Sequence, residues 1–131
     1  MEIILGKTAG FCYGVNNAVT KAEEYVENNK NKKIYCLGEL VHNKDVRDKL
    51  EREGLNFIEQ IDEIDKNNPE KEEKSLIIRA HGEPKSTYKT LKEQNIEILD
   101  LTCPNVLVIH DIVEKYVNDD YYIFIAEKGH P

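Results

Sequence analysis

The sequence predicts an α/β protein: a mostly parallel sheet with helices on both faces. Three observations carry that expectation. Short apolar runs rich in Ile, Leu and Tyr alternate with amphipathic stretches along all 131 residues. The amphipathic stretches have the three-four spacing of helices, and the short runs have the length of strands. Strand and helix candidates alternate in sequence, which implies parallel strands joined by helices packed on the sheet.

Taken in order, the strand candidates are 2–5 (EIIL), 33–37 (KIYCL), 55–58 (LNFI), 76–79 (LIIR), 96–99 (IEIL) and 121–126 (YYIFIA). The first helix candidate is 13–28, where Val15, Ala18, Val19, Ala22, Tyr25 and Val26 form one apolar stripe opposite Lys and Glu. A second covers 43–53, with Asn43 placed to cap it and Gly54 to stop it. Pro84 introduces a third at 85–94. The fourth is 105–118, with Val106, Ile109, Val113, Tyr116 and Val117 in register. Residues 59–74 are charge-dense around Pro69 and read as a short helix and a solvated loop. The expected organisation is a first α/β unit over 1–100 and the start of a second over 101–131.

Composition narrows the function classes. Apolar residues make up 40% and charged residues 33%, a soluble profile. No apolar run approaches the ~20 residues of a membrane span. Met1-Glu2 leads straight into a strand-like stretch rather than a secretory signal, so a cytoplasmic protein is expected. A net charge of −7 argues against a general nucleic-acid surface, although it permits a local pocket for an anion. Three cysteines, an odd number without a Cys-x-x-Cys pair, read as thiols rather than a disulfide framework.

The chemistry clusters by topology. Cys12 follows run 2–5, and "GELVHN" with His42 follows 33–37. "AHGEP" with His81 follows 76–79, "DLTCP" with Cys103 follows 96–99, and "EKGHP" with His130 follows 121–126. Any one of them has a bland reading, as a buried thiol at a turn or a polar surface histidine. Their common address is what favours a convergent site on one sheet edge. Cys36 sits inside a strand pattern and is expected to pack in the core, outside any site. His110 reads as a residue on a helix face. Two thiols and three imidazoles suit zinc or an iron–sulfur cluster, and the imidazoles also suit a phosphate. The best reading of the residues is a metal or cluster beside an anionic ligand.

In their order and spacing, "GFCYGV", "GELVHN", "IIRAHGEP", "DLTCP" and "KGHP" resemble the 4-hydroxy-3-methylbut-2-enyl diphosphate reductases of the methylerythritol phosphate route to isoprenoids. The resemblance runs the whole length of the chain. It implies three similar α/β units around a [4Fe-4S] cluster held by three cysteines, of which Cys12 and Cys103 match the first two. It implies that His42, His81 and His130 bind the substrate's diphosphate. The implied reaction is a reductive dehydroxylation of an allylic diphosphate to isopentenyl and dimethylallyl diphosphates, with electrons from a ferredoxin- or flavodoxin-type donor. The family's proton-donating Glu, its third cysteine and further diphosphate-binding residues would lie beyond Pro131. The chain therefore reads as the N-terminal part of such an enzyme, expected alone to lack an intact cluster and to be inactive. The competing expectation is a zinc- or phosphate-binding α/β module without redox chemistry, separable by metal content after anaerobic reconstitution.

Overall fold

The computed structural model describes residues 12–67, 72–119 and 121–124. Its elements are α1 (Tyr13–Asn28), β1 (Lys33–Leu37), α2 (Lys44–Glu53), β2 (Leu55–Ile58), α3 (Glu63–Asn67), β3 (Lys74–Ile78), α4 (Lys85–Glu93), β4 (Glu97–Asp100) and α5 (Pro104–Asn118). The four strands form one sheet in the order β2-β1-β3-β4, and every neighbouring pair is parallel. The strand expected at 2–5 lies outside the described residues.

Alternation along the strands divides the core between two faces. Ile34 and Cys36 of β1, Leu55 of β2 and Ile77 of β3 pack with Ala18, Ala22 and Val26 of α1 and Leu50 of α2. Tyr35, Ile58, Leu76 and Ile78 turn the other way, onto Ile64 of α3 and Leu91 of α4. Strands buried on both faces read as continuous apolar runs, as Leu76, Ile77 and Ile78 of β3 do. Small Ala18 and Ala22 let α1 lie close to the sheet, and both are at most 1% exposed.

Local chemistry sets the helix boundaries. Asn43 accepts a hydrogen bond from Val46 N–H at 3.0 Å and so caps α2. Gly54 ends α2 in the left-handed region at φ 110°, which a side chain would strain. Pro104 opens α5, where its fixed φ fits the first turn and its missing N–H costs nothing.

Among the described residues, the strand expected at 121–126 does not form. Residues Tyr121–Phe124 form no strand, and Tyr122 and Phe124 are each 94% exposed. Tyr121 instead folds back on α5, its N–H donating to Tyr116 O at 3.0 Å and its ring set edge-on to the Tyr116 ring. No described strand lies alongside to take the backbone groups of 121–124, so β propensity alone does not make a strand. The rest of run 121–126 lies outside the described residues. The apolar stripe on α5 forms the expected helix, yet none of its residues is buried.

Cys36 lies fully inside the first core, and burial pushes its thiol up to about 12. In the folded chain it should resist alkylation at pH 8 under conditions that label exposed Cys12, and react once denaturant is added. Cys36→Ala should leave any metal content unchanged. Cys36→Ser should cost about 1–3 kcal/mol in chemical denaturation, by burying an unpartnered hydroxyl.

Candidate functional site

The sheet order fixes where a ligand can enter. From β1 the chain runs outward to β2 through α2 on one face; from β3 it runs outward to β4 through α4 on the other. The connections leaving the two central strands therefore run in opposite directions from their carboxyl ends, the topology at which such sheets bind ligands. His42 follows β1 and His81 follows β3, one past the end of each central strand. Their rings lie 5.3 Å apart, centroid to centroid, and both side chains are exposed.

"GELVHN" is built to hold His42 there. Gly38 takes φ +67° and passes so close to Arg79 that a methyl group on it would lie 2.7 Å from Nη1. Leu40 and Val41 anchor the loop in the core, at 1% and 5% exposure, and Asn43 starts α2. Glu39 accepts a hydrogen bond from Arg47 at 3.2 Å, and its other oxygen lies 3.5 Å from His42 Nδ1.

The His81 loop turns back sharply, with Gly82 N–H donating to Arg79 O at 3.0 Å. Gly82 leaves room for Thr102 and for His110 of α5, whose nearest atoms would lie 3.0 and 3.1 Å from a methyl group there. Burial, then His42, then Arg79 push the His81 imidazole below its ordinary range. Arg79 itself pairs with Glu83, Nε to Oε1 at 3.1 Å.

The two thiols approach this edge from helix starts. Cys12 precedes α1 and Cys103 precedes α5, and neither side chain is used in capping. Cys103 Sγ lies over Gly14, where an added methyl group would meet it at 2.6 Å. That contact sets the first turn of α1 against Cys103. Cys103 N–H also donates to Ala80 O at 2.9 Å, which ties the thiol loop to the residue before His81. A continuous run of contacts thus links Gly14, Cys103, the His81 loop and His42. Cys12 is exposed and Cys103 half-buried, so neither is lost in the core.

Cys103, His42 and His81 are joined by these contacts, and Cys12 stands two residues before Gly14; His130 lies outside the described residues. Cys36 faces the core and contributes nothing. His110 is on a helix face as expected, and it also covers Gly82. Arg79 and Glu39 were legible in the motifs but not singled out. The signal for Arg79 was a cation closing a buried strand beside a histidine.

A cluster or metal needs thiolate donors within reach of one another, and this edge supplies two thiols free of other duties. No group of three or more metal-ligating side chains is present among the described residues.

Fold and edge together define a doubly wound α/β protein with two imidazoles and a guanidinium just past the carboxyl ends of its central strands, and with the Cys103 loop tied to one of them. The chain belongs to the LytB protein family, whose model matches residues 3–131. It is 40% identical over its whole length to the 4-hydroxy-3-methylbut-2-enyl diphosphate reductase of Thermoanaerobacter sp. (strain X514), and covers 44% of that protein. With the reductase of the same name from Clostridioides difficile (strain 630) the identity is 42%, over 45% of that protein. Among solved structures, 88% of the chain superposes on 34% of the E-1-hydroxy-2-methyl-but-2-enyl-4-diphosphate reductase of Plasmodium falciparum, with a TM-score of 0.76 and 32% identity. A second structure, described as the terminal enzyme of the non-mevalonate pathway, matches 98% of the chain and 43% of its own, with a TM-score of 0.71 and 32% identity. The chain spans less than half the length of these relatives.

Proposed function

We propose that this chain supplies part of the active site of a 4-hydroxy-3-methylbut-2-enyl diphosphate reductase, with Cys12 and Cys103 as cluster ligands and His42, His81 and His130 as the diphosphate-binding histidines. The observation that supports it most is the contact run from Gly14 through Cys103 to the His81 loop and His42. It supports a site that joins Cys103 to the two imidazoles, with Cys12 two residues before the contact at Gly14. A [4Fe-4S] cluster, when bound, would supply electrons and Lewis-acid pull on a hydroxyl leaving group. The chain's own residues orient the diphosphate and lend it positive charge, Arg79 adding to the field. The electrons come from a ferredoxin- or flavodoxin-type donor, and the enzyme works in the cytoplasm. Residues 101–131 open a second unit, a reading that the unburied α5 supports.

Anaerobic reconstitution with iron and sulfide, in competition with zinc, tests the reading. The chain alone should retain iron only weakly, lose it on Cys12→Ser or Cys103→Ser, and convert no allylic diphosphate. Stoichiometric tight zinc would favour the module without redox chemistry. Anion binding supplies the second arm. The His81 imidazole is held below its ordinary range, first by partial burial, then by His42 and Arg79, so the free protein disfavours its imidazolium. A bound diphosphate favours the imidazolium, so binding should take up a proton and weaken as pH rises from 6 to 8. Calorimetry with inorganic diphosphate in buffers of different ionisation enthalpy measures that proton. A pH-independent affinity would remove His81 from the site.

A further inference from the structure

We propose that Glu39 is a positioning residue for His42, holding the imidazole by Nδ1 so that Nε2 stays free for an anion. The carboxylate is itself held. Its Oε1 accepts from Arg47 Nη1 at 3.2 Å, while Arg47 Nε donates to Glu51 at 3.1 Å. The Arg47 guanidinium lies 5.0 Å over the Phe57 ring at the edge strand β2. Two contacts besides Glu39, to Glu51 and to the Phe57 ring, thus hold the guanidinium, which in turn holds the carboxylate, whose Oε2 lies 3.5 Å from His42 Nδ1. Buried Leu40 and Val41 pin the backbone between Glu39 and His42, so the pair cannot drift apart by loop motion.

The chemistry follows from which nitrogen is engaged. A carboxylate at Nδ1 selects the Nδ1–H tautomer of a neutral ring and leaves Nε2 free. A proton then added at Nε2 is the one an anion can share. The neighbouring charges are Glu39 and Arg47 on the His42 side, and His81 and Arg79 from the loop after β3. Arg47 offsets the charge of Glu39, which limits its repulsion of an incoming anion.

The inference rests on the reading of His42 as an anion ligand for its purpose, but its first test does not depend on that reading. Ring-nitrogen NMR of the unliganded chain at pH 8 should find His42 in the Nδ1–H form. Glu39→Ala should shift it toward Nε2–H, whereas Glu39→Gln, whose amide oxygen still accepts, should preserve the wild-type signature. An unchanged tautomer in Glu39→Ala would overturn the proposal. The second test titrates inorganic diphosphate into Glu39→Ala with and without His42→Ala. With His42 present, Glu39→Ala should weaken binding about two- to fivefold, the range for partly exposed pairs. In the His42→Ala background the same change acts only through charge and should leave binding equal or tighter. Equal effects in both backgrounds would also overturn the positioning role. If His42→Ala alone leaves affinity unchanged, the anion-binding reading fails, and the tautomer result still decides the role of Glu39.

Discussion

Gly14→Ala is expected to destabilise the chain and to dislodge Cys103, against the ordinary effect of that substitution. In an exposed helix interior alanine is favoured over glycine by about 0.8–1.0 kcal/mol. Here the added methyl would stand 2.6 Å from Cys103 Sγ and 3.2 Å from its Cβ. Sγ can leave only by a change of χ1, which does not move Cβ, and Cys103 is tethered by its N–H to Ala80 O and by Pro104. Either the thiol rotates off Gly14 or α1 lifts from the loop before α5. Overpacking of this kind costs about 1–3 kcal/mol, enough to exceed the propensity gain. Chemical denaturation should register the loss, and alkylation of half-buried Cys103 should accelerate. Any iron retained on reconstitution should fall with it. Cys103→Ala removes the 2.6 Å contact, so Gly14→Ala made in that background should cost markedly less. A more stable Gly14→Ala chain with unchanged Cys103 labelling would mean that the two elements do not meet as described.

The sheet was readable because strands buried on both faces leave continuous apolar runs, and 33–37 and 55–58 appear with the expected limits. The start and stop of α2 were equally legible, since Asn43 and Gly54 act through local backbone chemistry. Residues 121–124 misled because strand formation depends on a neighbour, which composition cannot supply. The edge shared by Cys103, His42 and His81 followed from topology: in a parallel sheet every strand ends on the same side. What one chain cannot express is partnership at a distance. That Gly14 receives Cys103, or that Glu39 reaches both Arg47 and His42, depends on packing between separate elements. Arg79 is of the same kind, since its neighbours Gly38 and His81 come from two different loops.

Asp100→Ala should be the second damaging change, because one carboxylate organises the whole approach to Cys103. Its Oδ1 accepts from Thr102 N–H at 2.9 Å and from Thr102 Oγ1–H at 2.5 Å. Its Oδ2 accepts from the Tyr88 hydroxyl of α4 at 2.8 Å. Thr102 is nearly buried, at 9% exposure, so its donors would be left without a partner. An unsatisfied buried donor costs about 1–3 kcal/mol, more than the mean worth of the bond it lost. The same threonine packs on Gly82, so the disturbance reaches both the thiol loop and the His81 loop. Tyr88→Phe removes only the bond to Oδ2 and should cost about 1 kcal/mol or less. Asp100→Asn keeps one oxygen for Thr102 and should fall between the two. Denaturation curves of the three variants should therefore rank alanine, then asparagine, then phenylalanine in decreasing damage. Cys103 labelling should accelerate in the same order, and diphosphate binding should weaken with it. If Asp100→Ala matches Tyr88→Phe in both stability and labelling, the Thr102 bonds do not hold the loop and Cys103 is positioned by Ala80 and Gly14 alone.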